Sequence, residues 1–270
     1  MTFEILPGDP GSPVILHVPH ASRALVESGL LLGGDALTEE LDHLTDAHTD
    51  LIAERAAGAA ARRPWILVNR LSRLVVDPER FPDETEEMLR AGMGPVYTHG
   101  YAGRRLRAAD PGRDALLLKE HFFPYAAAMT TLVGERLTGT GQAVIIDVHS
   151  YPTLRLPYEL HGDGPRPAVC LGTDPAHTPD WLVTAARSAF TRIGDVGLDS
   201  PFAGCYVPLE HWRRTTAVSA LMVEIRRDQY MREPGGQPTA GLGALARALA
   251  DVINAVLTPP NGVGALRVGG

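Results

Sequence analysis

The sequence has almost no lysine. Lys119 is the only one in 270 residues, so arginine carries nearly all the positive charge. The plain source of that bias is GC-rich coding rather than function. Cysteine is nearly missing too. Cys170 and Cys205 are too few for a disulfide framework or a cysteine-rich zinc site. No basic run is present and the formal net charge is −7, which argues against a nucleic-acid partner. No apolar stretch reaches the roughly 18 residues of a membrane span. The start, Met1-Thr2-Phe3-Glu4-Ile5, lacks the charged and apolar regions of a signal peptide. The expectation is a reduced, cytoplasmic protein with a small-molecule partner, no nucleic acid and no membrane. Its oligomeric state is left open.

What is present is a regular alternation. Short β-branched runs at residues 13–19, 65–68, 74–76, 143–148, 168–172 and 220–225 read as buried strands. Helical spacing covers residues 45–61, 114–137, 180–193 and 242–256, with Thr45 as an N-cap and Asp46 and Asp50 on one face of the first of these. Residues 82–113 are glycine-rich loop, in which Arg104-Arg105-Leu106-Arg107 reads as a solvated face. Such alternation predicts one three-layer α/β domain over residues 1–258, with a mixed, mostly parallel sheet and helices on both faces. A domain of that size buries roughly three quarters of its unfolded surface and needs no disulfide. Residues 259–270, rich in Gly and Pro, read as a disordered tail.

Three strands end in a group that can bind a metal or move a proton. His20 follows the first, His149 follows the central run Ala143-Val144-Ile145-Ile146-Asp147-Val148, and Glu224 lies in the last. In open α/β sheets, ligands bind beyond the carboxyl ends of strands. Neutral imidazoles are nitrogen donors that zinc prefers, and a catalytic zinc keeps a third ligand, often a carboxylate. Asp46 is the candidate, with Asp50 as the alternative. Glu224 sits among apolar neighbours, where an unpaired charge is expensive. Ser150 has no Gly-x-Ser-x-Gly around it, Cys205 stands alone, and no glycine-rich phosphate loop appears.

These residues also carry a resemblance. His149-Ser150-Tyr151 after an apolar strand, Asn69-Arg70-x-x-Arg73 and Glu224 in Val-Glu-Ile-Arg resemble the zinc carboxypeptidase superfamily. Within it the N-formylglutamate amidohydrolase family is the nearer likeness. Val18-Pro19-His20-Ala21-Ser22, Thr45-Asp46-x-His48-Thr49-Asp50 and Ser72-Arg73-Leu74-Val75-Val76-Asp77-x-Glu79-Arg80-Phe81 are similar to that family. So are Gly92-Met93-Gly94-Pro95-Val96-Tyr97-Thr98, Pro201-Phe202-Ala203-Gly204-x-Tyr206-Val207-Pro208 and Glu224-Ile225-Arg226-Arg227-x-x-Tyr230-Met231. The likeness runs from about residue 12 to 256.

The resemblance implies a zinc-exopeptidase-like fold and one zinc ion held by His20 and His149. It implies a zinc-activated water as nucleophile and Glu224 as general base, then acid. It also implies that Arg73 and Arg80, with Asn69 and Arg70 nearby, hold substrate carboxylates. Tyr151, Tyr206 and Arg226 complete the candidate substrate contacts. The implied reaction converts N-formyl-L-glutamate to formate and glutamate, a step of histidine breakdown. Another N-acyl amino acid, a short peptide, or metal and ligand binding without turnover are the alternatives. Two positions depart from the peptidase pattern. Arg23 stands where those enzymes place a carboxylate ligand, three residues after the first histidine. Glu79 stands where they have asparagine.

The chemistry is coherent on the residues themselves. Zinc lowers the pKa of a bound water to about 7, and a neighbouring carboxylate can carry the proton to the leaving amine. Arg73 can face a developing oxyanion, and guanidinium groups bind carboxylates bidentately.

Overall fold

Val-Ile-Leu-His-Val and Ala-Val-Ile-Ile-Asp-Val are too apolar to face water on either side, and both lie in the middle of a sheet. The computed structural model describes residues 2–161 and 163–258. The expected tail at 259–270 lies outside them. The strands are β1 (Phe3–Leu6), β2 (Val14–Val18), β3 (Trp65–Asn69), β4 (Ala143–Tyr151), β5 (Val169–Gly172), β6 (Val196–Leu198) and β7 (Val218–Arg226). Their spatial order is β1-β3-β2-β4-β7-β5-β6. β3, β2, β4 and β7 run parallel to one another, and β6 is parallel to β5. β1 pairs antiparallel with β3 and β5 antiparallel with β7. The mixed, mostly parallel three-layer sheet expected from the sequence is therefore present. β1 and β6 are additions at its two edges.

Side-chain alternation divides the layers. On β4, Val144, Ile146 and Val148 join Leu16, Leu221 and Val223 in one core cluster. That cluster is closed by α2 (Thr49–Ala59), α5 (Asp180–Phe190) and α6 (Gly241–Leu257). The opposite residues, Ile15, Ala143, Ile145 and Ala220, pack on Tyr125, Met129, Leu132 and Val133. These belong to α4 (Phe123–Thr140). Asp147, His149, Met222 and Glu224 continue this second face toward the strand ends. α1 (Gly34–Leu44) lies in the β2–β3 crossover, and α3 (Pro111–Leu117) leads toward α4.

Three local expectations are amended for physical reasons. The helix expected over 45–61 starts at Thr49, because His48 takes a left-handed φ of 68°. Thr45 instead ends α1, and Asp46 falls in the turn between two helices. The run 74–76 is not a strand. Its side chains are buried in two satellite clusters, which satisfies apolar residues without a ladder. The helix expected over 114–137 is present within a continuous helical stretch from 111 to 140, but it contains a π-turn at Leu118–Phe122, just ahead of Pro124, which has no N–H to donate.

Arg107 is a fourth correction. It is not part of a solvated face but is 1 % exposed. Its guanidinium donates to the carbonyls of Ser28 and Tyr97 at 2.7 Å each, and to that of Leu74. Burial pulls its pKa down to about 10. One side chain thus ties together three stretches of loop, one of which carries Arg73, Asp77 and Glu79. Arg107→Leu is expected to lower unfolding stability by about 3 kcal/mol, because three buried carbonyls lose their donor. Urea denaturation checks this, and a loss under about 1 kcal/mol counts against the role.

Candidate metal centre

The first crossover delivers two groups together. β2 stops at Val18, and His20 sits two residues beyond. The Asn69 amide donates to the Pro19 carbonyl at 3.0 Å and holds that turn. The Asp46 N–H donates to the His20 carbonyl at 3.0 Å, so the α1–α2 turn is stitched to the histidine by backbone. β4 supplies His149, which stands in register beside Glu224 on β7.

The rings of His20 and His149 point their Nδ1 atoms at one spot, 3.3 Å apart. Asp46 Oδ2 completes the triangle at 3.1 Å from His149 Nδ1 and 3.7 Å from His20 Nδ1. Donors at zinc-like bond lengths around a tetrahedral ion are separated by about 3.3 Å. The three edges bracket that value, and two nitrogens with one carboxylate are a donor set that zinc accepts. All three residues are buried. Glu224 borders the same spot, and its Oε2 is buried without a hydrogen-bond partner. The residues fit a metal with an acid/base group beside it.

The far sides of the imidazoles are held by carboxylates, as metal-ligating histidines require. His20 Nε2 meets Asp77 Oδ1 at 2.9 Å. His149 Nε2 meets Asp147 Oδ1 at 3.0 Å and Glu79 Oε1 at 3.2 Å. Asp147 also takes His17 Nδ1 at 2.8 Å and the Tyr206 N–H at 3.3 Å. Asp77 Oδ2 accepts from Arg73 at 2.8 Å and from the Tyr97 hydroxyl at 2.5 Å. Arg227 donates to Asp46 Oδ1 at 3.0 Å, which leaves Oδ2 for the shared spot.

Charge follows this geometry. Burial and Arg73 push the His20 imidazole down, but Asp77, Glu79 and Asp46 outweigh them and hold it above its usual range. Burial also opposes a charged His149, yet Asp147, Glu79 and Asp46 keep its pKa well up. Asp46 and Asp77 are held well below the ordinary carboxylate range by their histidine and arginine neighbours despite burial. Glu224 goes the other way. Burial is the main cause and nearby Asp46 adds to it, so its pKa is pushed up to about 8.

The remaining sequence candidates divide. Arg73 and Arg80 border the cluster, Arg80 with its Nε 3.4 Å from Asp77. Tyr206 stacks on His17 with ring centroids 4.6 Å apart. Asn69 serves the His20 turn. Five others are spoken for elsewhere. Arg70 pairs with Glu4 at 2.8 Å and lies 3.6 Å from Asp50, so neither reaches the histidines. Tyr151 gives its hydroxyl to the Pro167 carbonyl. Arg226 turns to Asp228 and the Arg166 carbonyl. Arg23, where the peptidases have a ligand, pairs with Asp42. Sequence reasoning missed His17, Asp77, Asp147, Tyr97 and Arg227. His17 and Asp147 carried a usable signal, since each is polar inside an otherwise apolar strand.

A sequence profile described as N-formylglutamate amidohydrolase matches residues 12–231. Among solved structures, the N-formylglutamate amidohydrolase from Ralstonia eutropha superposes with a TM-score of 0.80 at 21% identity, covering 94% of this chain and 96% of that one. A gene product of Agrobacterium tumefaciens gives 0.70 at 16% identity, covering 95% of this chain and 94% of that one. These likenesses speak to the fold. No individually curated protein matches the chain.

The geometry separates the two candidate carboxylates. Asp46→Asn is expected to lose bound metal, and Asp50→Asn to keep it, when both are dialysed against trace zinc and measured by elemental analysis. Equal retention in the two variants removes Asp46 from the ligand set.

Proposed function

The chain belongs to the N-formylglutamate amidohydrolase family, and from that premise we propose that it is a zinc-dependent hydrolase of the amide bond in an N-acyl amino acid. N-Formyl-L-glutamate is the substrate that the family description names, and a cytoplasmic role in histidine breakdown goes with it. The observation that carries the reading is the convergence of His20, Asp46 and His149 next to the unpartnered carboxyl of Glu224.

His20 and His149 through Nδ1, with Asp46 through Oδ2, would hold the zinc. When bound there, the ion would supply Lewis acidity, lowering the pKa of water and polarising the acyl carbonyl. The chain's own groups do the rest. Glu224 takes a proton as the water oxygen bonds to the acyl carbon. It gives the proton to the amide nitrogen as the C–N bond breaks, and the second water proton passes from the new carboxylic acid to the released amine, so the products are a carboxylate and an ammonium group. Its raised pKa suits a group that must both accept and donate. Arg227 and the two histidines keep Asp46 ionised. Asp77, Asp147 and Glu79 fix the ring orientations. Arg73, rigid between Asp77 and Tyr97, sets a positive charge beside the reacting carbonyl. Arg80 is the anchor for a substrate carboxylate.

The test is product release by the zinc-loaded protein from N-formyl-L-glutamate and a panel of N-acyl amino acids. Activity is expected to vanish on chelation and return with zinc. Glu224→Gln should keep its metal and lose turnover by about a thousandfold. If wild type and Glu224→Gln are equally inert on every substrate while both bind metal, the protein is a binder and the proposal fails.

A further inference from the structure

Asp46 is the candidate ligand that no strand positions. It sits in the turn between α1 and α2, where no ladder fixes its side chain. Metal donors must be held within about 0.5 Å of the productive geometry, so this turn has to be fixed from outside the two helices. Its own backbone groups are already used. The Asp46 carbonyl accepts from the Thr49 hydroxyl at 2.8 Å, and the Asp46 N–H goes to His20. His48, two residues on, takes its left-handed φ of 68°. A non-glycine residue reaches that state at a cost, and holds it only where surrounding contacts impose it.

Those contacts come from the chain that continues β7. The strand ends at Arg226, two residues past Glu224, and the segment that follows bonds to the turn. Arg227 donates through Nη1 to the His43 carbonyl at 2.7 Å and through Nη2 to Asp46 Oδ1 at 3.0 Å. Tyr230 donates its hydroxyl to the Ala47 carbonyl at 2.7 Å. His48 Nε2 donates to the Gly236 carbonyl at 2.9 Å. These four bonds grip residues 43–48 on both flanks of Asp46. Arg227, Tyr230 and Ala47 are buried, and a buried carbonyl stripped of its donor is costly. The gripping segment is braced in itself. The Met231 N–H donates to the Arg227 carbonyl at 2.9 Å, and the Thr239 N–H to the Tyr230 carbonyl at 2.7 Å. Gly235, with φ 60°, lies so close to α1 that a Cβ there would overlap the Asp42 carboxylate.

We propose that residues 227–236 form a clasp that presents Asp46 Oδ2 to the metal, with Tyr230 and His48 as its positioning residues. The proposal rests on the metal-centre reading and deepens it. It also gives a role to the parts of two sequence motifs that touch neither metal nor substrate, Tyr230 after Glu224 and His48 after Asp46. One continuous stretch then carries the proton-moving Glu224 and, three residues later, the first grip on the ligand.

The experiment measures the zinc dissociation constant of the full chain by competition with a chromophoric chelator. Tyr230→Phe and His48→Gly are each expected to weaken zinc about tenfold, the scale set by lost outer contacts of a metal ligand. Glycine keeps the left-handed backbone available, so His48→Gly removes the bond to Gly236 and still tests the clasp if Tyr230→Phe fails to fold. Leu182→Ala, which opens a cavity under α5, is the stability control and should keep wild-type affinity. The visible d–d bands of the cobalt(II)-loaded protein, which follow donor geometry, should shift in Tyr230→Phe and stay unchanged in Leu182→Ala. Because the clasp acts through Asp46, Tyr230→Phe should cost no further affinity once Asp46→Asn is in place. The same tenfold loss in both backgrounds overturns the clasp, as does wild-type affinity in both Tyr230→Phe and His48→Gly, and either result leaves the metal centre standing. A wild-type chain that binds no zinc sinks the metal-centre reading and the clasp with it.

Discussion

Five carboxylates converge at the carboxyl end of the sheet, and the structure depends on neutralising them. Asp46, Asp77, Glu79, Asp147 and Glu224 lie within one layer of side chains, four of them buried. Charges removed from water must be paired or protonated. The chain does both. Histidines 20 and 149 with Arg73 and Arg227 balance four of the acids. Glu224, without a hydrogen-bonded cation, is left with a raised pKa. The arrangement explains why loops as far apart as 70–80 and 203–207 are drawn to one spot.

Each imidazole is also divided in its labour. Nδ1 of His20 and His149 faces the shared spot, and Nε2 faces a carboxylate. Such a carboxylate fixes the tautomer and strengthens the ring as a donor. His17 differs. Its Nδ1 is used on Asp147 and its Nε2 is buried without a partner, so its contribution is to hold Asp147 rather than to face the spot itself. The sheet supplies the spacing, since Asp147 and His149 are two residues apart and share a face.

Much of this was legible in the residues and some was not. His20, His149 and Glu224 stand out because a polar group ends or interrupts an apolar strand. The same reasoning, applied inside the strands, would have reached His17 and Asp147. The choice between Asp46 and Asp50 was not readable, because it turns on the left-handed backbone of His48. A helix begun at Thr45 would have carried both on one face. Arg107 was opaque for another reason. Its partners are backbone carbonyls from three separate segments, which leave no mark in composition or periodicity. Residues 74–76 look like a strand because burial favours the same side chains with or without a ladder. Arg70 and Arg226 were drawn toward the site by motif alone, and local acids hold both elsewhere.

His20, just beyond the end of β2, and His149, on β4, stand 129 residues apart in the chain, and the two strands are parallel neighbours. Parallel neighbours meet only after the whole intervening crossover has been ordered, so this contact is among the costly ones in loop entropy. An ion held between them would find no equivalent pair in the unfolded chain. It would act as a clasp that closes only on the finished fold and stabilises it by mass action. The protein's resistance to proteolysis would then track the supply of that ion, and its starvation would shorten the lifetime of the fold itself.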